Sequence, residues 1–170
     1  MEPVLVLGAA GFTGRLIAQA LEASGMPFVL GGRNGEALAR LSDELPSKPD
    51  YRIVDVTSRT RLRTAIEGTS VIANAVGPFR KLGLPVIEAA IEAAIHYVDT
   101  AAEQSFICAA FDTFDEKARN AGITILPGHA CDFTFAYCGA ALIDQAVGRV
   151  ERCSSFHWPN DFSPSRGTLK

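Results

Sequence analysis

The chain has 170 residues, 48% of them hydrophobic and 21% charged, which suits one globular domain, or one domain and the start of a second, and excludes a disordered chain. Sixteen Lys and Arg against nineteen Asp and Glu give a net charge of -3, which argues against a broad nucleic-acid-binding or polybasic membrane surface. There is no long apolar run and no secretory signal pattern, and the four cysteines form no CxxC pair. We therefore expect a cytoplasmic protein with reduced thiols, no membrane segment, no nucleic-acid partner and no metal site.

Short apolar runs recur along the chain at regular spacing and predict β-strands. The runs cover residues 4–7, 28–30, 52–54, 71–73, 97–98 and 123–126. Their apolarity is continuous, which is typical of strands covered on both faces in a parallel sheet. Segments with helical periodicity lie between them, so the chain alternates strand and helix and predicts an α/β fold of right-handed βαβ units.

Capping residues predict where these helices begin and end. Asn34 and Ser58 have the residue type of N-caps, before the second and third helices. Glycines end the helical stripes at Gly25, Gly68 and Gly122. Pro85 suits the first turn of the fourth helix, where its missing N–H group costs nothing.

The first strand runs into a glycine-rich turn and then into an amphipathic helix. Gly8, Gly11 and Gly14 permit, in that order, a tight exit from the strand, close approach of a diphosphate, and close packing of helix on strand. The helix start offers N–H groups and a positive dipole end to phosphates. This combination predicts a Rossmann-type doubly wound parallel sheet with a dinucleotide site. The expected cofactor contacts are Gly8, Ala10, Gly11, Phe12, Thr13, Gly14 and Arg15.

The end of the second strand indicates which dinucleotide binds. An NAD site usually carries Asp or Glu about 20 residues after the glycine motif, where the carboxylate binds the ribose hydroxyls. Here the strand ends Gly-Gly-Arg33-Asn34 with no carboxylate, and a guanidinium suits a 2′-phosphate. We therefore predict NADP(H) as cofactor, bound by Arg33 and Asn34, with Arg15 as a second candidate for the 2′-phosphate.

The ends of the third and fourth strands supply further candidates. Asp55, followed by Val56, either accepts a hydrogen bond from the adenine amino group or caps the next helix. Small residues after the fourth strand either leave room for the nicotinamide half or simply form a tight Gly-Pro turn. The predicted contacts in this loop are Ala75, Val76, Gly77, Pro78 and Phe79.

With these motifs assembled, residues 1–103 resemble the NADP-binding domain of the saccharopine dehydrogenase-like oxidoreductases, which include trans-acting enoyl reductases. The resemblance is carried by segments 8–15, 32–33 and 74–79, by Gly83 with residues 85–86, and by residues 96–100 with Glu103. It implies a cofactor role for the turn, Arg33, the 74–79 loop and Asp99–Thr100, and hydride transfer to or from an imine, carbonyl or enoyl group of a small-molecule or acyl substrate. The residues alone leave open whether Asp99 faces the cleft or caps the following helix.

The C-terminal region follows a different pattern. A helix is expected over residues 137–147. After it, Val150, Phe156 and Trp158 are separated by even numbers of residues, so they would lie on one face of a strand, which is a loose signal for a half-exposed strand. Residues 165–168 also resemble a Ser-Arg-Gly-Thr stretch of the family's second domain. We expect an NADP-binding domain at 1–148 and the start of a truncated α+β domain at 149–170, which would complete the substrate pocket and a homodimer. A frayed terminus is the alternative.

No residue can be assigned as catalytic from the sequence. The Tyr-x-x-x-Lys pair and the P-loop are both absent. Cys131 lies near the place of a semialdehyde dehydrogenase thiol but lacks the usual neighbours, and a buried inert thiol is the alternative. His129 and Asp132 form either an acid and its orienting group or a loop histidine with a capping aspartate. A non-enzymatic NADP(H) sensor and a thiol-dependent semialdehyde dehydrogenase therefore remain alternative functions, and the resemblance is weakest at residues 129–131.

Overall fold

The computed structural model describes residues 1–154, apart from the side chains of Cys131 and Asp132. Within that range strands and helices alternate along the chain. The strands are β1 (Val4–Leu7), β2 (Phe28–Gly32), β3 (Tyr51–Ile53), β4 (Val71–Asn74), β5 (His96–Asp99) and β6 (Ile125–Leu126). The helices are α1 (Phe12–Ser24), α2 (Gly35–Glu44), α3 (Arg59–Ile66), α4 (Phe79–Glu92), α5 (Gln104–Ala121) and α6 (Cys131–Val147).

The strands form one parallel sheet in the order β3-β2-β1-β4-β5-β6. The chain builds β1 to β3 outward in one direction and then returns to place β4 on the other side of β1. Such a reversal opens a crevice at the carboxyl ends of β1 and β4, which is where ligands bind in doubly wound sheets. The predicted Rossmann-type fold is confirmed.

The inner strands of the sheet are covered on both faces, which explains their continuous apolarity, whereas the edge strand β3 is exposed at Tyr51 and Ile53. Val4 and Val6 of β1 pack into a core layer with residues of α1 and α2, whereas Leu5 and Leu7 pack into a layer with residues of α3, α4 and α5. Adjacent residues of a strand point to opposite faces of the sheet, so the residues on both faces of β1 must be apolar.

The helix ends follow the predicted signals. Gly25 and Gly122 lie in left-handed conformations at the C-caps of α1 and α5, with φ of 69° and 68°. The Asn34 side chain accepts the N–H of Ala37 at 3.1 Å and so caps α2. Ser58 caps α3 in the same way.

The prediction for Pro85 is wrong, because Pro85 lies inside α4 and not in its first turn. The helix begins at Phe79, where the carboxylate of Glu103 accepts the N–H groups of Phe79 and Arg80, both at 2.8 Å. The Phe79 and Phe106 rings also pack, with centroids 5.7 Å apart. These contacts from a distant segment stabilise the first turns despite the proline.

The C-terminal predictions are met in part. The expected helix is present as α6, but it starts earlier than predicted, at Cys131. Val150 follows α6 without joining a strand, and Phe156, Trp158 and residues 165–168 lie outside the described residues. None of the helices in the described part of the chain is long and apolar enough to cross a membrane.

Candidate cofactor site

The turn between β1 and α1 has the geometry that its glycines predict. Gly8 leaves the strand with a φ of 78°, a conformation that side chains disfavour, and its N–H binds the Gly31 carbonyl at 2.9 Å. The Gly11 N–H closes the turn on the Gly8 carbonyl at 2.9 Å, and Gly11 is the N-cap of α1. The turn therefore ends directly at a helix N-terminus.

Close packing explains why two of these positions exclude a side chain. A Cβ atom on Gly14 would lie 2.2 Å from the Gly8 carbonyl oxygen and 2.8 Å from the Cα of Ala9. A Cβ atom on Gly8 would lie 3.0 Å from the Ala75 carbonyl oxygen. Gly14 thus lets α1 pack on the turn, and Gly8 lets the turn pack on the loop that follows β4.

Three consecutive N–H groups at the start of α1 are available to a ligand. Gly11 provides no side-chain cap, and nothing within residues 1–154 accepts a hydrogen bond from the N–H of Phe12, Thr13 or Gly14. The first turn of α1 also carries no acidic residue. A phosphate is the natural partner for such N–H groups at the positive end of a helix dipole.

Arg33 and Asn34 lie beside the turn, at the carboxyl end of β2. Both line a wide surface depression together with Tyr51 and Ile53 of the edge strand β3. In the described part of the chain, no carboxylate lies within ion-pair distance of Arg33, although its charge helps to lower the pKa of Asp55. The Asn34 side-chain oxygen is already engaged as the α2 cap.

Arg15 has a different environment from Arg33. Its guanidinium forms an ion pair with Glu44 of α2, and both side chains are partly exposed. An incoming 2′-phosphate would have to compete with that carboxylate for Arg15. The structure therefore favours Arg33 over Arg15 as the phosphate-binding guanidinium, and the role of each stays a prediction.

Asp55 does not cap α3, so that alternative is wrong. Its Oδ1 atom accepts the Thr57 N–H at 3.0 Å and the Thr57 hydroxyl at 2.8 Å, while Ser58 is the N-cap. These two hydrogen bonds to the ionised form lower the pKa of Asp55. The neighbouring Val56 side chain is buried in the core, which leaves only its backbone for a ligand.

The loop after β4 is held at its start by hydrogen bonds from two of its N–H groups. The Ala75 N–H binds the Leu7 carbonyl at 2.9 Å, and the Val76 N–H binds the side-chain oxygen of Asn74 at 3.0 Å. Gly77 and Pro78 are exposed, whereas the Phe79 side chain is buried. The exposed residues of this loop therefore lie at the crevice, and the ring of Phe79 lies in the core.

Asp99, the last residue of β5, is buried, with 1% of its surface exposed. Its Oδ1 atom accepts the N–H groups of Ala101 and Gly128, and its Oδ2 atom accepts the Tyr97 hydroxyl. Burial raises the pKa of Asp99, and these hydrogen bonds partly oppose the rise. The alternative that Asp99 caps α5 is wrong, because the N-cap residue there is Glu103.

Two residues of the site were missed by the sequence reasoning. Glu103 was counted only in the resemblance, but its carboxylate occupies the N-terminus of α4. Ile53 was assigned only to a strand, but its side chain is 60% exposed in the same depression as Arg33. A strand of three residues at the sheet edge could have suggested that Ile53 faces solvent.

The segment after β6 remains without an assigned chemistry. The His129 N–H binds the Asp99 carbonyl at 2.8 Å, and its ring nitrogen Nδ1 lies 3.3 Å from the Thr134 hydroxyl. The side chains of Cys131 and Asp132, on which the thiol and capping hypotheses depend, lie outside the described residues. The N-cap of α6 is Ala130.

A parallel sheet of this order, with a glycine turn opening onto an uncapped helix at β1, defines a dinucleotide-binding domain. The comparison with protein families identifies the family to which this dinucleotide-binding domain belongs. Residues 4–126 match the family described as the saccharopine dehydrogenase NADP binding domain. The chain belongs to that family, and its cofactor is NADP(H).

Relatives of the chain are oxidoreductases. The "Saccharopine dehydrogenase-like oxidoreductase" of Bos taurus is 29% identical over 146 residues, which cover 76% of this chain and 34% of the relative. The "Trans-acting enoyl reductase" of Mycobacterium tuberculosis (strain ATCC 25177 / H37Ra) is 30% identical over 135 residues, or 76% of this chain and 32% of the relative. The chain thus spans about a third of the length of these relatives.

Solved structures agree on the fold. The apo saccharopine dehydrogenase (L-Glu forming) from Saccharomyces cerevisiae superposes with a TM-score of 0.68 at 18% identity, over 85% of this chain and 31% of the enzyme. A metagenomic short-chain oxidoreductase in complex with NADP gives a TM-score of 0.59 at 15% identity, over 74% of this chain and 79% of its own. At these identities the likeness concerns the fold alone.

Proposed function

We propose that this chain is the cofactor-binding domain of an NADP(H)-dependent oxidoreductase that transfers hydride to or from an imine, carbonyl or enoyl group. The observation that carries the proposal is the β1–α1 turn, where three N–H groups without partners in the described chain lie beside Arg33. The hydride chemistry itself belongs to the nicotinamide. The work of this domain is to bind and orient the cofactor.

The residues at the turn fit a pyrophosphate. The N–H groups of Phe12, Thr13 and Gly14 would donate to its oxygens, and Gly11 has no side chain to obstruct its approach. Phe12 is 71% exposed and so leaves the helix end open. The turn does not distinguish NADP(H) from NAD(H), because both contain the same pyrophosphate.

The depression at the ends of β2 and β3 fits a 2′-phosphorylated adenosine. Arg33 supplies a guanidinium for the 2′-phosphate, and the exposed Ile53 side chain supplies apolar surface for the adenine ring. Asp55 lies at the end of the same pair of strands, where it could accept a hydrogen bond from the adenine amino group.

We assign residues 1–148 to the NADP-binding domain and 149–170 to the start of a substrate-binding domain. The family match to residues 4–126, which lies inside the first domain, and the greater length of the relatives support this division. The substrate pocket, a homodimer interface formed by the second domain, and a cytoplasmic location complete the proposal.

The cofactor preference is tested by titrating the chain with NADPH and NADH in a calorimeter. Arg33→Ala is expected to weaken NADPH binding by about 10- to 150-fold, because charge-assisted hydrogen bonds contribute about 1.5–3 kcal/mol. Binding of NADH, which has no 2′-phosphate, is expected to stay unchanged. Arg119→Ala is the matched control, since Arg119 lies in the last turn of α5 and pairs only with Asp115 in the described chain.

An unchanged NADPH dissociation constant in Arg33→Ala would show that Arg33 does not bind the 2′-phosphate. A second measurement follows NADPH absorbance with iminium, carbonyl and enoyl substrates. The chain alone is expected to show no steady turnover, because we place the substrate pocket outside residues 1–148. Full reductase activity of this chain would refute that division.

A further inference from the structure

The loops that follow β4, β5 and β6 lie side by side at one edge of the sheet. The three strands are parallel neighbours, with Asn74 paired to Asp99 and Val98 paired to Leu126. Their carboxyl ends therefore meet at the same edge, next to the β1–α1 turn. Any ligand that lies across this half of the crevice must contact these loops.

One buried carboxylate connects two of these loops. Asp99 accepts the Ala101 N–H from its own loop at 2.9 Å and the Gly128 N–H from the loop after β6 at 2.8 Å, both on Oδ1. Its backbone carbonyl also accepts the His129 N–H at 2.8 Å. Asp99 is thus bonded to two consecutive residues of the β6 loop.

The hydrogen bonds continue from Asp99 to the loop after β4. The Tyr97 hydroxyl donates to Asp99 Oδ2 at 2.7 Å and accepts from Asn74 Nδ2 at 3.1 Å. The side-chain oxygen of Asn74 in turn accepts the Val76 N–H at 3.0 Å. The side chains of Asn74, Tyr97 and Asp99 are all buried, so water does not compete for these bonds.

The direction of each hydrogen bond in this network is determined by its members. Asn74 uses its oxygen for Val76 and its amide group for Tyr97, so the Tyr97 proton can only point to Asp99. Asp99 must then accept three hydrogen bonds with its side chain and donate none. An ionised carboxylate satisfies that requirement, whereas an amide of the same shape does not.

We propose that Asp99 is a positioning residue which, with Tyr97 and Asn74, holds the three strand-end loops in the one arrangement that receives the nicotinamide half of NADP(H). This inference rests on the proposed function and deepens it. Asp99 acts through the loops, since its side-chain oxygens are turned to protein donors and not to the crevice. The resemblance suggested a cofactor role for Asp99. In the structure that role is indirect, because Asp99 supports the loops from below and does not face the cofactor.

The two halves of the sheet make the inference specific to one end of the cofactor. The pyrophosphate would lie at the β1–α1 turn, and Arg33 on the β2 side would bind the phosphorylated adenosine. The nicotinamide then falls to the β4–β6 side, above the Asp99 network. Loss of the network should therefore affect ligands that contain nicotinamide and spare ligands that contain only adenosine.

The experiment compares two ligands on the chain and its variants. NADPH carries both halves, and adenosine 2′,5′-bisphosphate carries the adenosine half alone. Asp99→Asn is expected to weaken NADPH binding by about tenfold or more, because loops that populate several arrangements lower the apparent affinity by the competent fraction. Binding of adenosine 2′,5′-bisphosphate is expected to stay within about twofold of the wild type.

A second variant and a control protect the test against misfolding. Tyr97→Phe keeps the ring but removes the hydroxyl, so Asn74 and Asp99 each lose a buried partner. It is expected to show the same split between the two ligands. Ser42→Ala also removes a buried hydrogen bond, to the Pro49 carbonyl at 2.7 Å, but on the other face of the domain, and is expected to show no split.

The outcomes separate this inference from the proposed function. A wild-type chain that bound neither ligand would refute the NADP(H) site itself. If the wild-type chain bound both ligands and the variants lost affinity for both equally, the network would have only a structural role. Variants that bound NADPH as tightly as the wild type would refute the positioning role outright.

Discussion

Two alanine substitutions in the glycine turn should separate folding from cofactor binding. Gly14→Ala would place a Cβ atom 2.2 Å from the Gly8 carbonyl oxygen and 2.6 Å from its carbon, both of them backbone atoms. Gly11→Ala would place its Cβ atom 3.1 Å from that same oxygen and close to nothing else in the described chain. Gly11 also has an extended φ of -79°, which alanine adopts readily.

The expected magnitudes follow from these distances. Gly14→Ala has to push α1 away from the turn by roughly 1 Å, since unstrained carbon contacts are about 3.5 Å or longer. Overpacking of this kind costs about 1–3 kcal/mol, which lowers the melting temperature of a domain this size by about 2–12 °C. Gly11→Ala makes one close contact, 3.1 Å, which a shift of a few tenths of an ångström relieves, so we expect its melting temperature to change by less than about 2 °C.

Cofactor binding should show the opposite order. The Gly11 methyl group would stand where the pyrophosphate approaches the helix N-terminus, so we expect NADPH binding about 10- to 150-fold weaker at nearly unchanged stability. Circular dichroism on heating and calorimetric titration with NADPH measure the two effects on the same samples.

Each result has a clear contrary outcome. Wild-type NADPH affinity in Gly11→Ala would mean that the turn does not receive the pyrophosphate. An unchanged melting temperature in Gly14→Ala would mean that α1 does not pack on the turn as closely as the structure has it.

Two further predictions concern carboxylates of the site. Glu103→Gln is expected to lower the melting temperature by about 2–8 °C, because one of the two N–H groups at the start of α4 would then face the amide group of the glutamine. Glu116→Gln, at an exposed position on α5, is the control. Equal melting temperatures of the two variants would refute the capping role of Glu103. In an NMR titration the pKa of Asp55 is expected below its ordinary value of 3.8. It is expected to be higher in Thr57→Val, which lacks the hydroxyl group, than in Thr57→Ser, which keeps it. An equal pKa in the two variants would show that the Thr57 hydroxyl does not lower the pKa of Asp55. Since the pKa is lowered in the folded chain, Asp55 stabilises the fold above pH 3.8, and that contribution is lost as the pH falls through the folded-state pKa.

The regular spacing of the strands and helices could be predicted from the sequence, because it depends on residues that are close together in the chain. Strands covered on both faces must be apolar at every position, and helices of this kind end at glycines that adopt left-handed conformations. Gly11 and Gly14 were equally predictable from the sequence, since they serve the turn and the helix directly after it, whereas Gly8 also makes room for Ala75 of the loop after β4. These glycines predicted a dinucleotide site, and Arg33 at the end of the second strand predicted NADP(H).

Contacts between distant segments could not be read in the same way. The start of α4 depends on Glu103, which lies more than twenty residues beyond it, and Pro85 alone suggested a later start. Arg15 was a phosphate candidate by sequence, but α2 brings Glu44 to its guanidinium. Asp55 and Asp99 looked alike as strand-end carboxylates, yet one closes a surface turn and the other is buried.

The amino-acid sequence by itself determined the alternation of elements and the phosphate turn, because these depend on residues within about one helix turn of each other. It also indicated the cofactor class through Arg33, which ends the second strand about 20 residues after the glycine motif. The tertiary structure alone decided which charged groups are paired, which helix start is capped from afar, and that Asp99 joins loops of two strands. The reason is physical: a hydrogen bond or ion pair depends on distances of about 3 Å, and only the packing of the sheet brings residues far apart in the chain that close.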